Sequence, residues 1–73
     1  MFISSRDDLI VGELLRVRRD DEIFWKNIGK GITVVLSKGD LFIFLRDEGI
    51  HGLRVLSSKF GIGNVAFVHI ERA

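Results

Sequence analysis

Lys38-Gly39-Asp40-Leu41-Phe42-Ile43-Phe44-Leu45 is the stretch on which the reading of this chain turns. A glycine between two charged residues suits a tight turn, because glycine reaches positive φ without steric cost. The five apolar residues that follow, rich in aromatic and β-branched side chains, read as a strand. Alternate residues of a strand face opposite ways. If Phe42 and Phe44 fill a core, Leu41, Ile43 and Leu45 face outward, or the reverse. Uninterrupted apolar sequence belongs to a strand covered on both faces. Val34-Val35-Leu36 raises the same question, so a partner is expected on whichever face the chain itself leaves open.

Outward from this stretch, glycines punctuate short β-rich segments: Ile32 to Leu36, Leu41 to Arg46, Leu53 to Leu56 and Val65 to Ile70. Gly29 and Gly31, Gly39, Gly49 and Gly52, and Gly61 and Gly63 stand between them as turn signals. Short strands at regular spacing read as a sandwich or a small barrel. With so few strands a barrel is expected, since closing the sheet removes exposed edges. Toward the N-terminus, Ser5-Arg6-Asp7-Asp8 has the form of a capping box, and Leu9, Ile10, Glu13, Leu14 and Val17 fit a helical stripe. Leu15 and Val17 also alternate with Arg16 and Arg18. We read extended structure from Leu14 to Arg19, preceded by a short helical turn. Residues 1–13 are an extension expected to pack on the barrel. Asp20-Asp21-Glu22 reads as a solvated acidic turn leading to Ile23-Phe24-Trp25, where an exposed Trp beside acids would form a binding lip.

Composition bounds the rest. The chain has 73 residues, 47% hydrophobic, with no Cys and no Pro. Surface scaling puts about 62% of the unfolded chain's surface in the interior, which makes one marginal domain over residues 1–73. Disulfides and cysteine–zinc sites are excluded, so packing or oligomerisation has to supply stability. Eleven Lys and Arg against ten Asp and Glu leave a net charge of +1, too little for an undirected pull on DNA or an anionic membrane. The run Leu41 to Leu45 is far short of a membrane span. Met1-Phe2-Ile3 passes at once into polar sequence without a secretory signal, and the expected location is cytoplasmic.

From Leu15 onward the chain resembles an SH3-like β-barrel, all-β with about five strands. Leu15-Arg16-Val17-Arg18 is similar to the Leu-x-Val-Arg opening of bacterial SH3 domains. Lys38-Gly39-Asp40 before Leu41 to Leu45 resembles the Lys-Gly-Asp turn and strand of bacterial and eukaryotic forms. Gly52-Leu53-Arg54-Val55, Gly63-Asn64-Val65 and His69-Ile70-Glu71 follow the later strands. The resemblance implies a binding module. At the positions of the eukaryotic aromatic shelf, however, the chain has Leu53 for Trp, Ala66 for Pro and His69 for Tyr, with only Phe24 retained. A shelf without its central Trp and Tyr cannot stack prolines well, so polyproline recognition is not expected. Asn64 replaces the Trp of the closing Gly-Trp step of the bacterial, wall-binding relatives.

No catalytic, cofactor or metal constellation is expected. His51 and His69 lack ligand spacing, and Ser4-Ser5 and Ser57-Ser58 lack a His–acid context. Gly61-Ile62-Gly63-Asn64 and Gly29-Lys30-Gly31 read as hairpin turns, without the lysine and helix of a phosphate-binding loop. Two binding classes remain. The leading one is a non-enzymatic protein-interaction module that self-associates through an apolar strand face, with Phe24, Trp25, Leu41, Ile43 and His69 as contacts. His69 would add pH sensitivity at such an interface. The alternative is a nucleic-acid-binding barrel using Arg16, Arg18 and Arg54, with Phe24 and Trp25 for stacking. Interleaved acids and an isoelectric point of about 8.2 weigh against the alternative.

Overall fold

A computed structural model of the chain describes residues 8–27 and 30–73. They form an all-β fold of seven strands: β1 (Leu14–Val17), β2 (Asp21–Asn27), β3 (Lys30–Leu36), β4 (Leu41–Asp47), β5 (Leu53–Ser57), β6 (Gly61–Val65) and β7 (Ile70–Arg72). All pairings are antiparallel within one open sheet, in the order β3-β2-β6-β5-β4-β1-β7. The sheet curls around a single core, compatible with a small β-barrel-like fold. Trp25 on β2 lies 5.7 Å, centroid to centroid, from Phe42 on β4, although two strands separate theirs in the sheet.

The Lys38-Gly39-Asp40 turn is present as expected. Gly39 has φ +92°, and the Asp40 N–H donates to Ser37 O at 2.9 Å. The turn is stitched to β1, because Gly39 N–H donates to Val17 O and Val17 N–H to Asp40 O. The Asp40 carboxylate accepts from the Ser37 N–H at 3.1 Å and from Lys59 Nζ at 2.9 Å. Desolvation pushes its pKa up, but Lys59 and the Ser37 N–H outweigh that and hold it below the ordinary aspartate range. The chain thus enters β4 with one phase fixed. Phe42 and Phe44 face the core, and Leu41 and Ile43 face out. A β-bulge at Leu45 re-aims the end of the strand, so that Arg46 rather than Leu45 pairs with Arg54.

Three expectations change. Seven strands replace about five, because the acidic segment is not a free turn. Asp21 and Glu22 open β2, which pairs residue for residue with β3 from Asp21↔Leu36 to Asn27↔Lys30. Gly61 to Asn64 is strand rather than turn. Gly63 sits there because a Cβ would lie 2.2 Å from the Trp25 ring. The glycine clears a notch for the indole, which also packs on Phe60 with centroids 5.5 Å apart. Third, the stretch Val65 to Ile70 is broken by a 3-10 turn over Phe67–His69 before β7.

Of the N-terminal helical turn, Ser5 to Asp7 fall outside the described residues. Residues 10–13 form a tight turn instead, with Glu13 N–H donating to Ile10 O and Gly12 at φ +90°. This segment runs along β4 through Gly12 N–H to Phe44 O and Phe44 N–H to Glu13 O. Leu9 packs against the core and Glu13 pairs with Arg72.

Two predictions follow from this packing. Gly63→Ala should lower stability by about 1–3 kcal/mol through overpacking against the indole, read by denaturant unfolding of Trp25 fluorescence. An unchanged midpoint would show that the notch is not tight. Because the Asp40 pKa is lower in the folded chain than in the unfolded one, its contribution is present above about pH 4 and lost as pH falls through the folded value. Asp40→Asn should cost about 1 kcal/mol at neutral pH and reduce the acid-side loss of stability, measured by melting between pH 7 and pH 3.

Candidate functional site

Strand alternation and register build the outer surface of the sheet. Leu14 on β1 lies opposite Ile43 on β4, Ile43 opposite Leu56 on β5, and Leu56 opposite Ile62 on β6. All four point outward, with exposures of 45%, 38%, 40% and 39%. Leu41, two residues before Ile43 on the same face, is also exposed. The result is a continuous apolar row across four strands. Nothing in residues 8–13 covers it, and Ile10 and Val11 are themselves exposed. Cross-strand neighbours on one face are 4.5–5.5 Å apart, so the row is one surface rather than scattered side chains.

A second row runs beside it. Lys26 on β2 pairs with Asn64 on β6, Asn64 with Arg54 on β5, and Arg54 with Arg46 on β4. Glu48, just beyond β4, is the acid that serves this row. It accepts from Asn64 Nδ2 at 2.8 Å and Arg46 Nε at 3.0 Å, with Arg54 at 3.8 Å. The Asn64 amide, helped by Arg46 and Arg54, overcomes desolvation and holds the Glu48 pKa below the ordinary glutamate range. Lys26, Arg54 and Asn64 help line an open groove of about 580 Å³. Its walls include Phe24 from the β2–β3 hairpin, Ile50 from the β4–β5 loop, and Ala66 and Phe67. The Phe24 ring occupies the space above Gly31, where a Cβ would stand 2.0 Å from it. On the far side of the apolar row, Arg16 lies opposite Leu41 and forms an ion pair with Glu71.

The structure thus brings Leu41 and Ile43 together on the apolar row and puts Phe24 in the groove. It does not join Trp25 to them. The expected exposed Trp is corrected: Trp25 is 2% exposed, because its side chain faces inward on β2 and fills the Gly63 notch. Its Nε1 has no hydrogen-bond partner among the described residues. His69 stands in the 3-10 turn with Nδ1 3.2 Å from Asp21 Oδ2, away from the row. Arg16 and Arg54 share the outer face but flank the apolar row. Arg18 reaches the Val68 carbonyl, and Arg54 donates to Asn64 Oδ1. Leu14, Leu56 and Ile62 were not among the expected contacts. Only the register brings them to Ile43, although Leu56 and Ile62 could have been found by extending the alternation of their strands.

Among the described residues no three His, Cys, Asp or Glu gather to hold a metal ion, and no helix is long and apolar enough to cross a membrane. The balance of the second row gives a test. Glu48→Gln should elute from a heparin column at higher salt than the parent and Arg46→Ala at lower salt, with identical elution showing that the row does not meet solvent as described. Comparison with protein families, curated proteins and solved structures finds no match.

Proposed function

We propose that the chain is a non-enzymatic protein-interaction module on an SH3-like barrel, and that it self-associates through the row Leu14–Ile43–Leu56–Ile62 with Leu41. The row is the observation that carries this reading. A turn of Lys38 to Asp40 entering an apolar strand, and a curled antiparallel sheet around one core, support the barrel. Apolar side chains placed side by side on the water face mark a surface that another molecule covers. A second copy of the chain is the occupant we favour, because each copy presents the same apolar row and burying it twice doubles the gain.

Magnitudes set the expected strength. Full burial of a Leu or Ile is worth about 1.5–3 kcal/mol, and these side chains have about two-fifths of that left to gain. Five from each copy give about 6–12 kcal/mol gross, against about 4–15 kcal/mol for association. The two nearly offset each other. The dimer is therefore weak and concentration-dependent.

A nucleic-acid-binding barrel is the second reading, supported by the run of Lys26, Arg54 and Arg46. Glu48 within that run and Glu71 beside Arg16 reduce its positive field, which is why we rank it lower.

Sedimentation velocity across micromolar to millimolar concentration distinguishes these readings. The parent chain should show a rising average mass that high salt does not abolish, since apolar contacts are not screened. Ile43→Glu and Leu56→Glu should each weaken association by about tenfold or more, about 1.4 kcal/mol, with little change in melting temperature. A monomer at every concentration would overturn self-association. Salt-sensitive oligonucleotide retention lost in Arg16→Ala/Arg54→Ala would favour the second reading.

A further inference from the structure

The two ends of the sheet are unequal. β7 is three residues long and carries Glu71 and Arg72. Natural sheets blunt an edge in this way, with a short, charged strand. β3, the other edge, is seven residues long. From Gly31 to Leu36 it contains no charge, and its pairing to β2 has no bulge. Among the described residues, no backbone hydrogen bond is made on its outer side. Three of the most exposed apolar side chains flank this edge: Phe24 at 64%, Val35 at 61% and Ile32 at 60%.

We infer that β3 is a second interface, on which β3 of another copy adds antiparallel about a two-fold axis, with Thr33 opposite Thr33 of the second copy. This register pairs all seven residues of the strand. A two-residue shift would shorten the ladder, and a one-residue shift would put side chains on opposite faces. Charge supports the same arrangement. Within the hairpin, Asp21 and Glu22 lie at one end, and Lys26 and Lys30 at the other. In the two-fold pairing Lys30 lies across from Leu36 of the second copy, which is paired with Asp21. Lys26–Gly31 likewise continues into Val35–Glu22 of the second copy. Each basic end thus meets an acidic end two or three strands away, about 10–15 Å at the usual strand spacing. At that range salt screens most of the attraction, so charge selects the antiparallel orientation while backbone pairing and apolar cover hold it. Gly31 also leaves room for Val35 of the second copy beside the Phe24 ring.

This edge lies apart from the apolar row on β1, β4, β5 and β6, and the pairing does not depend on that row. A chain with two self-complementary interfaces builds closed tetramers or filaments rather than dimers alone.

The chain has no cysteine, so a single introduced one reports the contact. Opposed residues of an antiparallel pair have Cα atoms about 4.5–5.5 Å apart, within disulfide range. Thr33→Cys should oxidise to a covalent dimer about tenfold faster than Ile50→Cys, although Ile50 is 98% exposed. Adding Val35→Lys to Thr33→Cys should abolish the advantage, with far-UV circular dichroism confirming that the fold persists. Adding Ile43→Glu should leave it intact. Equal rates for the two single-cysteine variants, or an advantage lost with Ile43→Glu, would overturn the edge pairing.

Discussion

The indole of Trp25 in the notch left by Gly63 is the contact on which the rest of the molecule depends. It brings the β2–β3 hairpin down over β6 and presses the ring between Phe42 and Phe60. Burying a Trp removes about 150–250 Å² from water, worth about 4–6 kcal/mol gross. That is large for a domain of this size, whose net stability is a few kcal/mol. It also sets the shape of the surface. With the hairpin held down, Phe24 on its other face becomes a wall of the groove, and Lys26 comes into register with Asn64.

A small curled sheet has too little chain to cover both of its faces. The inner face is filled by Leu15, Val17, Phe42, Phe44, Leu53, Val55 and their neighbours. The same strands carry Leu14, Leu41, Ile43 and Leu56 on the other side, where the N-terminal segment leaves them in water. The high hydrophobic content therefore divides between a core and an outer row, and the outer row is what gives the interaction reading its substance. β3 repeats the pattern at the level of backbone: a strand with good pairing on one side and open groups on the other.

How much of this could be read from residues alone depends on how local the cause is. The Lys38-Gly39-Asp40 turn and the alternation of Leu41 to Leu45 were legible, because turn chemistry and strand phase act over neighbouring residues. The apolar excess on Leu41 and Ile43 was legible for the same reason. Trp25 was misread, since Asp20 to Glu22 look like a solvated loop until β3 supplies a partner strand. Gly63 was misread as a turn residue because its reason lies in an indole far along the chain. The row of Leu14, Ile43, Leu56 and Ile62 needs the register of four strands at once, and a linear pattern does not contain it. The expected helical turn gave way to a turn at Ile10 to Glu13, where Gly12 takes positive φ and the backbone of β4 offers hydrogen bonds.

The claim that the outer row is an interface is tested most directly by amide chemical shifts in nuclear magnetic resonance spectra, followed as the parent chain is diluted from millimolar to micromolar concentration. The account predicts concentration-dependent shifts that cluster on Leu14, Leu41, Ile43, Leu56 and Ile62. Shifts absent from these residues, while the chain demonstrably changes mass over the same range, would contradict it.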